Sequence, residues 1–252
     1  MTNIVICGAS GKMGQKVYEC VCSRDDCKVI AGIDLAESKN SDFPIYKSPS
    51  ELTEKPDVII DYSHPSCLKM LLDYCMTTGT PIVLATTGYS EDQINDIKKA
   101  SEQVPVFFSW NMSLGINLLV KLAKKATEIL GDQFDIEIIE KHHNQKIDAP
   151  SGTALMIANA INETKNDSMN YVYDRHSRRQ KRSQNEIGIH AVRGGTIVGV
   201  HEVLFAGNDE TITISHSAAS KNVFAEGSVN AAVFVKDCQP GLYDMGNVVD
   251  NK

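Results

Sequence analysis

No apolar run in the 252 residues approaches the length a helix needs to span a bilayer. Excess positive charge is missing too. Lys and Arg number 25 against 32 Asp and Glu, and the net charge of −7 argues against nucleic acid or an anionic membrane as the main partner. The seven cysteines, at 7, 20, 22, 27, 67, 75 and 238, are odd in number and never spaced C-x-x-C, so neither a disulfide frame nor a zinc site is expected. Cys7, Cys67 and Cys75 fall in apolar-periodic segments and read as reduced core thiols, whereas Cys22 and Cys27 are expected to be exposed. No internal repeat is visible. Met1-Thr-Asn runs at once into Ile4-Val-Ile-Cys7, which leaves no room for a signal peptide, and the expectation is a cytoplasmic protein. The rest is ordinary for a globular chain, 42% hydrophobic and 23% charged, long enough for two modest domains or one large one.

The chain opens as strand, glycine loop, helix: an apolar run over 3–7, then Gly8-Ala-Ser-Gly11-Lys-Met-Gly14, then helical periodicity over 13–22. A second strand over 28–33 ends on Asp34, twenty residues beyond Gly14, about where a dinucleotide fold carries its ribose-binding acid. Alternation continues with strands over 57–61, 81–85 and 104–108 and helices over 66–78 and 90–103. Strands separated by helices predict a Rossmann-type, doubly wound parallel sheet, whose ligands sit at the carboxyl ends of the strands. Gly8, Ala9, Ser10, Gly11, Lys12 and Met13 fall there, as do Asp34, then Ala85, Thr86 and Thr87, then Ser109, Trp110, Asn111 and Met112. Any one of these could be a plain polar loop; their shared location argues for a bound dinucleotide.

After Ser113 the character changes. A long helix is predicted over 114–130, a strand over 134–140, a helix to about 163, and β-rich runs over 186–192, 196–205 and 211–217. In the second of these runs both alternating sets are partly apolar, which suits a sheet packed on two sides, one side against another subunit. A last helix over 222–235 and a closing turn at 241–245 follow. The basic stretch Arg175-His-Ser-Arg178-Arg179-Gln-Lys181-Arg182 has no interleaved aromatics, so a solvated or substrate-facing loop is expected there, not a nucleic-acid surface.

The most informative stretch is Glu140-Lys-His-His-Asn-Gln-Lys146-Ile-Asp-Ala-Pro150-Ser-Gly-Thr153-Ala. His142, His143 and Lys146 leave a strand end and arrive at a helix N-terminus signalled by Pro150 and Ser151. That helix end offers unpaired N–H groups and a positive dipole to an anion; Gly152 removes side-chain bulk there and Thr153 adds a hydroxyl. Each part alone has an ordinary reading, as a solvated strand end, a loop lysine or a helix cap. Together they suggest proton transfer beside a carboxylate or phosphate. Neighbouring strand residues point to opposite faces, so His142 and His143 are not expected to share a metal.

Gly8-x-x-Gly11-Lys-Met-Gly14, Ala85-Thr-Thr-Gly88, Asn111-Met-Ser113, His142-His-x-x-Lys146-x-Asp-Ala-Pro-Ser-Gly-Thr-Ala154, Glu186-Ile-Gly-Ile-His-Ala-Val-Arg-Gly-Gly195 and Gly199-x-His201-Glu-Val203 stand in this order. Over nearly its whole length the chain resembles the 4-hydroxy-tetrahydrodipicolinate reductase (dihydrodipicolinate reductase) family of lysine and diaminopimelate biosynthesis. The resemblance implies a dinucleotide-binding domain at 1–113 and 218–252, and an α+β domain with a mixed sheet at 114–217 that binds substrate and builds a homotetramer. It implies proton transfer by His142 and Lys146, substrate contact by His143, a substrate carboxylate on Gly152 and Thr153, and cofactor binding at the strand-end positions named above. Ala85 and Trp110 stand where many members carry Gly and a small residue, and Leu35 follows Asp34 where some have arginine.

The implied reaction is reduction of a cyclic imine dicarboxylate by NADH or NADPH, and no metal is needed. A cationic lysine near the imine nitrogen stabilises developing charge and a histidine supplies or relays the proton; which of the two delivers it stays open. Asp34 suits a free ribose and repels a 2′-phosphate, with only Lys12 and Lys39 as nearby cations, so NADH is expected to be preferred. Two rivals are weighed. Another two-domain amino-acid-pathway dehydrogenase would keep the glycine loop but lack H-H-x-x-K before S-G-T. A non-catalytic nucleotide sensor would need neither His142 nor Lys146, and would usually add a nucleic-acid or partner module.

Overall fold

The first strand, β1 (Thr2–Cys7), sends alternate residues into two different cores. Ile4 and Ile6 pack with Val17 and Val21, and Val5 and Cys7 pack with Leu68, Leu71 and Ile97. A strand buried on both faces reads as a continuous apolar run, and that is what residues 4–7 are. Each fully buried Ile or Leu here contributes about 1.5–3 kcal/mol of transfer free energy.

The computed structural model describes residues 1–36 and 42–250. Lys39, named above as a cation near Asp34, lies outside the described residues. The chain divides into two units, Met1–Leu114 with Asn222–Lys252, and Gly115–Lys221.

In the first unit β1 is followed by α1 (Lys12–Cys22), β2 (Cys27–Ile33), β3 (Ile45–Tyr46), β4 (Val58–Asp61), α2 (Leu68–Thr78), β5 (Ile82–Leu84), α3 (Glu91–Ser101) and β6 (Pro105–Phe108). Local chemistry sets these limits. Ser90 and Gln93 form a reciprocal capping box at the start of α3, and Gly79, at φ 66°, ends α2 in a left-handed turn. All pairings are parallel, and with β12 (Gly241–Tyr243) the strand order is β12-β6-β5-β4-β1-β2-β3. The order reverses between β1 and β4, the switch point at which open α/β sheets bind ligands.

The second unit contains α4 (Leu114–Leu130), β7 (Asp135–His142), α5 (Gly152–Thr164), β8 (Asn170–Val172), β9 (Glu186–Arg193), β10 (Gly199–Ala206) and β11 (Thr211–Ala218). Its mixed sheet runs β11-β10-β7-β9-β8. β7 alternates, with Ile136 and Ile138 buried against Leu119 and Ala123 of α4 and Ile157 and Ile161 of α5.

The chain then returns to the first unit through α6 (Asn222–Val235) and α7 (Met245–Asp250). Gly227 lets α6 lie against the backbone after β6, because a Cβ there would sit 1.7 Å from the Met112 carbonyl oxygen. No helix among the described residues is long and apolar enough to cross a membrane.

Several expectations change. The closing turn is instead the edge strand β12 followed by α7, and position 218, the expected return point, is the last residue of β11. Cys27 is 3% exposed, at the start of β2, while Cys22 is exposed; all seven cysteines are free. Burial, then the charge of Asp61, pushes the Cys7 and Cys75 thiols up, so both stay protonated. The second face of the mixed sheet is partly apolar, with Val200, Leu204 and Ala206 on β10, and charged pairs lie among these residues. Glu137 accepts from His190 at 2.7 Å and Arg182 at 3.1 Å, Arg175 pairs with both Glu137 and Glu186, and Lys141 meets Glu202 at 2.9 Å. The basic stretch therefore folds onto this face through Arg175 and Arg182; Arg182 also donates to the carbonyls of Ile136 and Glu186. Burial opposes ionisation of Glu137, but His190, Arg182 and Arg175 outweigh it and hold its carboxyl below the usual range.

Candidate active site

Period-two alternation on β7 puts Glu140 and His142 on one face. The Glu140 side chain is fully buried, and its Oε2 lies 2.5 Å from His142 Nδ1. Arg193, at the end of β9, closes on the same carboxylate with both Nη atoms, at 2.8 and 2.7 Å, and Ser151 N–H donates to Oε1 at 3.0 Å. Burial alone would raise the Glu140 carboxyl; Arg193, His142 and the Ser151 amide outweigh it and hold it below the usual carboxylate range.

Ser151 caps α5 by accepting from Ala154 N–H at 3.2 Å, and its Oγ also bonds His201 Nε2 at 3.1 Å. His201, from β10, stands edge-on to His142 with ring centroids 5.2 Å apart. Burial first, then the nearby His142, pushes the His201 imidazole down to about 4, so it is neutral at physiological pH.

The residues expected to transfer protons, His142 and Lys146, both belong to this unit. Lys146 N–H donates to the His143 carbonyl at 3.2 Å, and its Nζ pairs with Asp148 at 2.8 Å. The Lys146 ammonium, first among the causes, holds the Asp148 carboxyl below its usual value. Asp148 is largely exposed, so this pair is weak and Lys146 can trade it for a bound anion. His143 is half-buried just past β7. Gly152 is the first residue of α5, with nothing within 4 Å of where a Cβ would stand, and Thr153 follows it, half-buried. Gly152 therefore has neither a packing contact nor a positive φ to explain it. The open approach to the helix N-terminus is what a side chain there would narrow.

In the first unit Gly8 has φ +78°, and a Cβ on it would lie 2.6 Å from the Tyr62 carbonyl oxygen. A Cβ on Gly14 would lie 2.2 Å from the Gly8 oxygen, so the loop is pressed flat onto α1. Gly11 is the N-cap of α1 and supplies no side-chain hydrogen bond, leaving the helix end to an outside anion. Beside it a cavity of about 430 Å³ is lined by Gly8, Gly11, Asp34, Leu35, Lys47 and His64 among others. Asp34 accepts from the amides of Ser10, at 2.9 Å, and Ala36, at 3.0 Å. A bare helix end, a flattened glycine loop and an acid at the end of β2 fit a dinucleotide.

The remaining expected positions differ in character. Ala9 is buried, Lys12 exposed, and Met13 packs against the core. Ala85 is half-buried and Thr87 exposed, but Thr86 turns inward to Asp61 at 2.8 Å. Ser109 donates to the Asn111 carbonyl, Asn111 accepts from Ser113 N–H, and Met112 is a core side chain. Trp110 is 66% exposed and leans on Phe108.

The sequence reading missed Glu140, Arg193, Ser151 and His201 as members of the site in the second unit. It also missed Lys47 and His64 in the cavity of the first. Glu140 was findable, because i and i+2 on an alternating strand share a face. His64 was findable too, since its loop follows β4 at a strand carboxyl end. Arg193 depends on strand pairing across the sheet and had no local signal.

The family described as dihydrodipicolinate reductase, N-terminus, matches residues 2–112, and the one described as dihydrodipicolinate reductase, C-terminus, matches 115–249. The 4-hydroxy-tetrahydrodipicolinate reductase of Caldanaerobacter subterraneus subsp. tengcongensis is 48% identical over 99% of this chain and 98% of its own. That of Clostridium tetani is 46% identical over 97% and 96%. Among solved structures, the dipicolinate-bound dihydrodipicolinate reductase of Paenisporosarcina sp. TG-14 superposes with a TM-score of 0.83 at 26% identity, covering 98% of this chain and 99% of that one.

Proposed function

The chain belongs to the dihydrodipicolinate reductase family, and on that premise we propose which of its residues carry the reaction. It is an NAD(P)H-dependent oxidoreductase of lysine and diaminopimelate biosynthesis. The substrate is the cyclic imine dicarboxylate derived from 4-hydroxy-tetrahydrodipicolinate, and the product is tetrahydrodipicolinate. The nicotinamide supplies the hydride when bound.

The first unit binds the dinucleotide: the glycine loop and the N-terminus of α1 take its phosphates, and Asp34 takes the adenosine ribose. The loops at Ala85–Thr87 and Ser109–Met112 complete the cofactor positions, with Thr86 and Met112 acting through backbone, since their side chains face inward. NADH is preferred over NADPH, because Asp34 repels a 2′-phosphate and Leu35 adds no cation.

The second unit binds the substrate. One carboxylate sits on the amides of Gly152 and Thr153 at the start of α5, an end with a partial positive charge that favours an anion by about 0.3–2 kcal/mol. His143 contacts the substrate beside it. Lys146 stabilises the negative charge that hydride addition leaves, and His142 and Lys146 deliver the proton to the ring. The observation that carries this reading is Gly152, which starts a capped helix with open space at its Cβ position and follows Ser151, which Glu140 ties to His142. The protein works as a cytoplasmic homotetramer built through the mixed sheet. Sedimentation of the purified protein tests that assembly, and a monomer at assay concentration would refute it.

The two rival readings fit less well. A dehydrogenase of another amino-acid pathway does not explain matches to this family over both halves. A nucleotide sensor without turnover does not explain the buried Glu140–Arg193 pair holding His142. The deciding experiment for the residues is turnover and dipicolinate binding by His142→Gln, Lys146→Ala and Gly152→Ala.

A further inference from the structure

His142 has two ring nitrogens, and only one faces a protein partner. Nδ1 meets the buried Glu140 carboxylate at 2.5 Å, and Nε2 makes no hydrogen bond among the described residues. The Nε2 side is kept clear by Gly199, where an added Cβ would stand 3.2 Å from that nitrogen. Gly199 is the first residue of β10 and has no positive φ, so its backbone conformation does not require glycine. We propose that Glu140 is a positioning residue for His142: its carboxylate takes the hydrogen bond from Nδ1–H, leaving Nε2 as the nitrogen that exchanges a proton with substrate. This rests on the proton-transfer role given to His142 above.

The carboxylate decides the direction of that bond. Arg193 grips both oxygens and Ser151 N–H donates to one of them, so Glu140 is ionised and can only accept. Nδ1 must then carry the hydrogen. The other charged or titratable groups beside His142 are Arg193, its partner on β9, and His201 from β10, while the Lys146 ammonium turns to Asp148. Arg193 is engaged by Glu140, and the Nε2 of His201 is engaged by Ser151, so neither competes for Nδ1. The same carboxylate holds the Ser151 amide, and Arg193 donates to the Asp148 carbonyl at 2.6 Å. Glu140 and Arg193 therefore fix both ends of the loop that carries His143 and Lys146, from His142 to the start of α5.

Glutamine at 140 has one oxygen for four donors. Two donors face each side, but Ser151 N–H and Arg193 can only donate, whereas His142 Nδ1 can become an acceptor; the oxygen therefore faces Ser151 and Arg193 Nη2, which turns the amide NH₂ toward His142 Nδ1 and reverses the bond. In other carboxylate–histidine pairs this change traps the wrong tautomer and lowers kcat by about 10⁴-fold. The test is ¹⁵N NMR of the histidine rings in the wild-type protein above the pH at which His142 is protonated, with His142→Gln to assign the resonances. A single neutral tautomer protonated on Nδ1 is expected; a ring protonated on Nε2 overturns the proposal whether or not any variant folds. In Glu140→Gln we expect the Nε2–H tautomer, with kcat down about 10²-fold or more and NADH affinity by calorimetry unchanged. Unchanged tautomer and unchanged kcat in that variant also overturn it. Full turnover in His142→Gln would instead refute the proton-transfer role, while the Nδ1–H tautomer would still stand.

Discussion

Glu140 and His142 stand two residues apart on one strand, and their side chains meet at 2.5 Å beneath the N-terminus of α5. The strand pleat brings them to one face, and Arg193 from the neighbouring strand keeps the carboxylate ionised. The helix end proposed to receive the substrate carboxylate is tied to the same group through Ser151. The residue proposed to transfer a proton and the proposed anion site thus share one buried charge pair.

Lys146→Ala and His142→Gln should each lower kcat by about 10²-fold or more, the size expected for lost acid–base or electrostatic assistance. Nucleotide affinity should stay near wild type, because both residues belong to the second unit and the glycine loop to the first. Steady-state kinetics with parallel NADH titrations check this; near-normal turnover in both variants would remove the assignment.

Gly152→Ala separates a binding role from a packing role. An added methyl meets nothing within 4 Å and the backbone is not left-handed, so the melting temperature should not fall. Affinity for pyridine-2,6-dicarboxylate should drop about tenfold, roughly 1.4 kcal/mol. Thr153→Val should weaken the same ligand by about 1–3 kcal/mol through a lost donor to a charged acceptor. Calorimetry with cofactor present reads both; unchanged affinity in the two variants would mean that Ser151-Gly-Thr153 is only a cap.

For the nucleotide, wild-type kcat/KM should favour NADH, and Asp34→Ala should move the preference toward NADPH. Lys12→Ala and Lys47→Ala should each impair NADPH more than NADH, since both cations lie by the glycine loop or the Asp34 cavity. In a solvent-facing site each term is at most a few kcal/mol. A tenfold or greater wild-type preference for NADPH would contradict the role given to Asp34.

Stability should fall in acid through His201. Its folded pKa, about 4, lies below the ordinary value of about 6.5, so the unfolded chain binds the proton first as pH drops. The stabilisation is complete above about pH 6.5 and is lost progressively down to about 4, on the order of 3 kcal/mol in all. Urea unfolding at stepped pH checks it. His201→Gln keeps a donor near Ser151 and should flatten the slope in that window, and an equal slope in both proteins would contradict it.

Much of this was legible from the sequence because two periodicities are strong. The all-apolar runs at 4–7 and 58–60 announce strands buried on both faces, and 114–130 and 222–235 were bounded to the residue. Three of the four edge strands were not legible. β3 has two residues and β8 and β12 have three each, too few for a period to emerge, and their pairing comes from the sheet. In the site, His142, Lys146 and Gly152 were visible as a contiguous motif. Arg193 and His201 arrive from other strands by pairing, and the inward turn of Thr86 follows from Asp61, 25 residues earlier.

The most direct test is oxidation of NADH and NADPH by the purified protein, with the freshly made condensation product of pyruvate and aspartate semialdehyde as substrate. The account predicts rapid loss of reduced nicotinamide that depends on that product, is inhibited by pyridine-2,6-dicarboxylate, and is faster with NADH. Nucleotide binding without product-dependent oxidation of either cofactor would contradict it.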